Sequence, residues 1–227
     1  LSQVQGGAEI LDVNVGHPEI DEKKMMVRVL KAIQSVCDVP LQIDSTKPEV
    51  IEAGLRYYNG KPILNSVNGE EQSLATVLPL VKKYGASVVG LALDENGIPK
   101  TAEGRFEIAK RIVERAEAVG IDRKDVYIDC LTLTVSAEQA ACRQTLEALH
   151  RVKTELGCKT CLGVSNISFG LPNRELVNRT FLTMAMEQGL DLPIINPNVE
   201  SMTGAVRAFR VLNGIDKNSL EFINAYN

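Results

Sequence analysis

The chain has 227 residues, 44% of them hydrophobic, and a formal net charge of −4. That suits one large α/β domain and argues against a nucleic-acid or anionic membrane partner. No apolar stretch approaches the roughly 18 residues that span a bilayer, nothing at the start resembles a signal peptide, and five cysteines read as reduced thiols of a cytoplasmic protein.

In chain order, residues 1–7 read as a helix end closed by glycine, followed by a strand at 9–15. Met25, Met26, Val29, Leu30 and Ile33 recur at helical spacing over 21–37. A strand at 39–44 and a helix at 48–57, opened by Pro48, come next. Then follow strand 61–65, helix 70–84, strand 86–93, helix 101–119, strand 126–130, helix 136–156, strand 160–165, helix 174–188, strand 192–196 and a helix at 201–213. No linker or low-complexity tract divides them, so residues 1–227 read as one domain.

Six apolar runs stop on Asn14, Asp44, Asn65, Asp129, Asn166 and Asn196, at intervals of 30, 21, 64, 37 and 30 residues. The long interval contains the run at 86–93, which ends on Asp94. Asp and Asn are poor strand residues unless they cap or face a ligand. Each interval is the length of a strand plus a returning helix, the rhythm of a (β/α)8 TIM barrel whose strand C-termini open on one face. Seven strands are counted where such a barrel has eight, so the expectation is a barrel lacking its first strand in this sequence and N-terminally incomplete. An open doubly wound sheet is the alternative, but no Gly-x-Gly-x-x-Gly follows any strand and the polar ends are spread evenly.

For each strand-end Asp a helix-cap role competes with a binding role. As a set, Asp44 and Asp129 with Asn65 and Asn166 offer the acceptors and mixed amide groups that a flat heterocycle such as a pteridine, purine or pyrimidine requires. Cys158 and Cys161 have C-x-x-C spacing, but they lead into a strand and no second pair completes a zinc site. His17 lies in a loop at the barrel face and could meet a ligand; His150 falls in a helix and reads as a surface or packing residue. The Met25–Met26 pair reads as core. The most specific segment is 162–181, where Gly163 permits close backbone approach and Ser165 and Asn166 end a strand. There Phe169 and Gly170 form a covering loop, and Arg174 starts the next helix.

The motifs Asp12-Val-Asn14-Val-Gly16, Gln42-Ile-Asp44-Ser-Thr46, Asn65-Ser-Val-Asn68-Gly69, Tyr127-Ile-Asp129, Gly163-Val-Ser-Asn166-Ile-Ser-Phe-Gly170 and Asn178-Arg-Thr-Phe181 resemble those of the pterin-binding methyltransferases. That group includes the folate module of cobalamin-dependent methionine synthase and the methyltetrahydrofolate:corrinoid/iron–sulfur protein methyltransferases; dihydropteroate synthase is a more distant relative. The Ser-Phe-Gly-Leu-Pro wording after Ile167 leans toward the methionine synthase module, because the corrinoid-protein enzymes tend to carry Gln at the position of Phe169. The resemblance implies that Asp44, Asn65 and Asp129 hold the pterin of 5-methyltetrahydrofolate or tetrahydrofolate, and that Asn166 acts as the catalytic residue near N5. Gly163 and Ser165 would line the same wall, Asn14 and Asn196 would complete the ring, and Phe169 and Arg174 would lie toward the tail or the entrance. It also implies a homodimer as one possible assembly. Cobalamin would be supplied by a partner, a corrinoid-carrying domain or protein, since no Asp-x-His-x-x-Gly surrounds His17 or His150. The methyl group would pass to cob(I)alamin in methionine synthesis; the alternatives are a corrinoid-protein methyltransferase of one-carbon metabolism or a non-catalytic folate-binding module. A dihydropteroate synthase would want a lysine where Ser165-Asn166 stand.

Overall fold

Alternation along each strand sorts the side chains onto two faces, and each face has its own apolar cluster. In the computed structural model, which describes residues 1–227, seven parallel strands follow one another in chain order. They are β1 (Leu11–Asn14), β2 (Leu41–Asp44), β3 (Ile63–Asn68), β4 (Ser87–Leu91), β5 (Val126–Asp129), β6 (Lys159–Gly163) and β7 (Leu192–Ile194). Outward residues such as Val13, Ile43, Leu64, Val88, Ile128 and Leu162 join a core of 41 buried residues beneath the helices. Ile63, Val89 and Cys161 form a small inner cluster with Ile10, Leu91, Tyr127, Leu192 and Ile194 packed against it. A sheet apolar on both faces and covered by helices on one is a curled, nearly closed TIM-like barrel.

The helices are α1 (Ser2–Gln5), α2 (Glu22–Gln34), α3 (Pro48–Tyr57), α4 (Glu71–Tyr84), α5 (Ala102–Ala118), α6 (Ala141–Arg151), α7 (Arg174–Glu187), α8 (Glu200–Leu212) and α9 (Leu220–Tyr226). Their ends follow local chemistry. Asp21 accepts from the Lys24 amide to cap α2, and Thr101 accepts from the Gly104 amide to cap α5. α5 then turns Phe106, Ile108, Ala109, Ile112, Val113 and Ala116 onto the sheet; each large apolar side chain so buried contributes about 1.5–3 kcal/mol. Met26 and Leu30 of α2 are fully buried and Met25 is half-buried, so the methionine pair is core on one side only.

Four sequence expectations are corrected. Strand β4 stops at Leu91, and Asp94 turns outward to pair with Arg111 at 2.7 Å. Strand β6 stops at Gly163, so Ser165 and Asn166 lie in a 3-10 turn, Val164–Ser168, rather than on the strand. The helix expected from residue 136 starts at Ala141, because Thr134 and Ser136 both donate to the Phe169 carbonyl at 2.7 Å and hold 131–140 as a loop. Beyond Gly214, where the chain should have ended its helical structure, α9 forms with buried Asp216 accepting from the amides of Glu221 and Phe222.

Strands β1 and β7 are the two edges of the sheet. Gly6 passes so close to the β7–α8 turn that a Cβ there would meet the Pro197 carbonyl oxygen at 2.7 Å.

Candidate functional site

The polar ring comes from register. Parallel pairing sets Asp12 beside Gln42, Asn14 beside Asp44, Asp44 beside Asn65, Asp129 beside Cys161 and Gly163 beside Ile194. Asp44 caps no helix: Lys47 holds the N-cap position of α3, and the only protein donor to the Asp44 carboxylate is Asn14 Nδ2, at 2.9 Å. Asn14 in turn accepts from the Gly16 amide at 2.8 Å. Asn65 is half-buried at a β-bulge in β3, and its amide has no hydrogen bond within the protein.

Asp129 is the most buried carboxylate of the ring, 8% exposed. It accepts from the Leu131 amide at 2.7 Å and from the Gly163 amide. Burial pushes its carboxyl up to about 6 against the opposing pull of those two amides and of Arg105. Burial also raises Asp12 and Asp44, and the charge of Asp44 adds to the effect on Asp12. The Cys161 thiol is driven well above its ordinary value by burial first, then by the charges of Asp129 and Asp12. One interior thiol thus lies within electrostatic reach of carboxylates from both β1 and β5. None of Asp12, Asp44 and Asp129 has an ion-pair partner, so the ring is rich in acceptors and short of cations.

Above Asp129 the Asn166 amide lies over Gly163, where a Cβ would come within 3.3 Å of its Nδ2. It makes no hydrogen bond in the protein and is exposed. Arg174 is tied to the loop beneath it: Nε donates to Ser168 Oγ at 3.0 Å, an Nη donates to the Ser165 carbonyl at 2.9 Å, and the guanidinium stacks 4.4 Å from the centre of the half-exposed Phe169 ring. Arg174 and Phe169 therefore brace the β6–α7 loop. Asn196 stands apart from the central ring. Its Oδ1 accepts from the Asn198 amide, and it lines a cavity of about 290 Å³ together with Ser165, Arg174 and Asn178. His17 is exposed and accepts from the Glu19 amide, and His150 is exposed on α6. Cys158 and Cys161 are both buried free thiols, and Cys161 faces the barrel interior.

Two ring members went unrecognised among the sequence candidates. Gln42, 2% exposed, donates through Nε2 to Asp12 at 2.7 Å, and its Oε1 is buried with no partner. Their signal was parity: each lies two residues before a candidate on the same strand, hence on the same face. A buried carbonyl oxygen left unpaired costs stability unless a ligand donor meets it.

A parallel α/β barrel whose strand ends present carboxylates, amides and an orphan acceptor has the chemistry to meet the edge of a flat, donor-rich ring. The chain belongs to the pterin binding enzyme family, whose pattern matches residues 1–196. It is 35% identical over 207 residues to the methionine synthase of Mycobacterium leprae, covering 86% of this chain but 17% of that protein. It is 30% identical over 232 residues to the methylcorrinoid:tetrahydrofolate methyltransferase of Eubacterium limosum, covering 100% of this chain and 84% of that one. Its fold matches dihydropteroate synthase from Xanthomonas albilineans in complex with 7,8-dihydropteroate, with a TM-score of 0.72 at 18% identity over 93% of this chain and 82% of that one. A Yersinia pestis dihydropteroate synthase in a sulfonamide drug complex gives 0.75 at 16% identity over 94% and 83%. The chain thus spans about a sixth of the methionine synthases it resembles, and most of the Eubacterium protein.

Proposed function

We propose that this chain binds 5-methyltetrahydrofolate and delivers its N5-methyl group to a corrinoid carried by another domain or protein, in the manner of the folate module of methionine synthase. The observation that carries this reading is Asp129, a buried carboxylate at a strand end that caps no helix, has no ion-pair partner and is aimed by two backbone amides. A pterin presents N–H beside NH2, and a carboxylate accepts that edge through two parallel charge-assisted bonds. Asp44 and Asn65 supply the remaining acceptors and donors around the ring, with Asn14 orienting Asp44. Gln42 Oε1 adds an acceptor deeper in the barrel.

Methyl loss from a tertiary amine requires N5 to be protonated or strongly hydrogen-bonded as the C–N bond breaks. Asn166, unpaired and exposed above Gly163, is suited to accept from a protonated N5 through its carbonyl oxygen; it holds that proton in place without acting as an acid. The corrinoid, when bound, supplies the reduced-cobalt nucleophile. Phe169 and Arg174 shape the loop toward the entrance, and Ser165 and Asn196 lie on the side cavity where a folate tail would leave the ring. Positioning of two large reactants accounts for the rest of the rate gain.

A second reading is supported by the Eubacterium relative, which matches along its length: a free-standing partner of a corrinoid protein in one-carbon metabolism. Calorimetric titration with 5-methyltetrahydrofolate, followed by mixing with cob(I)alamin and absorbance detection of methylcobalamin, tests the proposal. Binding with transfer supports it, and supplying a corrinoid protein in place of the free cofactor separates the two readings. Binding without transfer to either acceptor selects a folate-holding module, and absence of binding overturns the pterin assignment.

A further inference from the structure

Arg105 is the largest fully buried side chain in the protein, at 0% exposure, and it forms no ion pair. An arginine is rarely placed so without a task, because a buried charge must be matched by charge or hydrogen bonds. From α5 its Nε donates to the Pro99 carbonyl at 2.9 Å. One Nη donates to the carbonyls of Cys130 at 3.1 Å and Leu131 at 3.0 Å and to Thr145 Oγ1 at 2.7 Å. The other Nη is buried with no partner. Thr145 of α6, itself fully buried, donates to the same Leu131 carbonyl at 3.1 Å. These contacts grip the two residues that follow Asp129. Leu131 sits at φ +60°, a left-handed conformation that a leucine holds only under constraint. Its amide is the one that donates to Asp129 Oδ1.

We propose that Arg105 is the positioning residue for Asp129: its guanidinium clamps the Cys130–Leu131 carbonyls, locks Leu131 in the left-handed turn that aims an amide at the carboxylate, and serves as the buried counter-charge that keeps Asp129 ionised for its ligand. A guanidinium suits the task because its planar fork spans several carbonyls at once and never gives up its charge; a lysine ammonium does neither as well. Arg105 is the one charged group bearing on Asp129. The neighbouring thiols, Cys130 beside it in the chain and Cys161 across on β6, are pushed upward by burial and stay neutral through the neutral range. The charge of Asp129 in turn bears on Arg105 and offsets part of the burial that would lower it.

The ligand side of this inference rests on the pterin reading, so the deciding measurement uses no folate. The Asp129 carboxyl is titrated by 13C NMR in the free protein, assigned by its loss in Asp129→Asn, and compared in Arg105→Met and Arg105→Lys. Arg105→Met is expected to raise the Asp129 midpoint by one pH unit or more, a tenfold change in proton affinity, and Arg105→Lys by less than half as much. A folded Arg105→Met with an unmoved midpoint overturns the proposal, since a purely structural arginine would lower stability and leave the titration alone. Should Arg105→Met not fold, Arg105→Lys decides through hydrogen exchange of the Leu131 amide. A tenfold or greater loss of protection supports the clamp, and unchanged protection refutes it. Failure of the wild type to bind 5-methyltetrahydrofolate would sink the functional reading while leaving both comparisons decisive.

Discussion

Asp129→Asn should gain stability relative to the wild type as pH rises while weakening the ligand complex, and pH separates the two effects. Burial raises this carboxyl from its ordinary 3.8 to about 6. Between those values the folded chain still holds a proton that the unfolded chain has released, so wild-type stability falls as pH rises through the window and the loss is complete above it. At about 1.4 kcal/mol per unit the full penalty is about 3 kcal/mol, of which about 2 kcal/mol accrues between pH 4.5 and pH 8. Asn carries no charge and escapes this penalty. It can leave the Leu131 or Gly163 amide poorly paired, at a cost of about 1–3 kcal/mol, but that cost does not vary with pH. The stability difference between variant and wild type, measured by urea unfolding, should therefore shift in favour of the variant by about 2 kcal/mol from pH 4.5 to pH 8. Calorimetry at pH 8 should show 5-methyltetrahydrofolate binding weakened by about 1.5–3 kcal/mol, the worth of a lost charge-assisted bond, or roughly tenfold to 150-fold. A pH-independent stability difference would refute the burial argument; unchanged affinity would refute the role of Asp129 in holding the ring.

Asn166→Ala should separate chemistry from binding: single-turnover methyl transfer falls by roughly a hundredfold or more, as for loss of a donor or acceptor that acts on developing charge, while the Kd for 5-methyltetrahydrofolate changes less than about threefold. Equal losses in both would count against the role given to Asn166. Gly163→Ala places a Cβ 3.3 Å from Asn166 Nδ2, so transfer should drop with little change in thermal midpoint, and a crystal structure should show the amide displaced. Gly90→Ala sets a Cβ 2.8 Å from Ile112 Cγ2 and 3.2 Å from Ile128 Cδ1. Overpacking of this kind costs about 1–3 kcal/mol, readable by urea unfolding, and in an Ile112→Ala background, which lacks that Cγ2, the same glycine change should cost less.

What the sequence alone determined was the order of the βα units and most of the ring. Apolar runs of strand length, each closed by Asn or Asp before a helical pattern, carry both facts locally, which is why Asp44, Asn65 and Asp129 could be read directly. Tertiary structure decided matters that depend on which neighbour reaches a group first. Asp94 looks like another strand-end acid until Arg111, one helix on, draws it outward. Ser165 and Asn166 look like a strand end until Arg174 and Ser168 hold the chain in a 3-10 turn, which lifts Asn166 above Gly163. Asn196 matches the spacing of the ring, yet its strand ends at Ile194 and its side chain closes the turn to α8. Gln42 and Asp12 were visible in parity but not in purpose, because only the parallel register brings them within 2.7 Å of each other. Arg105 lies in a segment whose pattern reads as an ordinary amphipathic helix; its burial arises because the turn after Asp129, continued by the 131–140 loop that Thr134 and Ser136 pin to Phe169, leaves the carbonyls of Cys130 and Leu131 beneath that helix, where Arg105 and Thr145 meet them. Local pattern specifies which residues can pair along and across a strand, whereas the partner of a polar group is settled by distances between segments far apart in the chain.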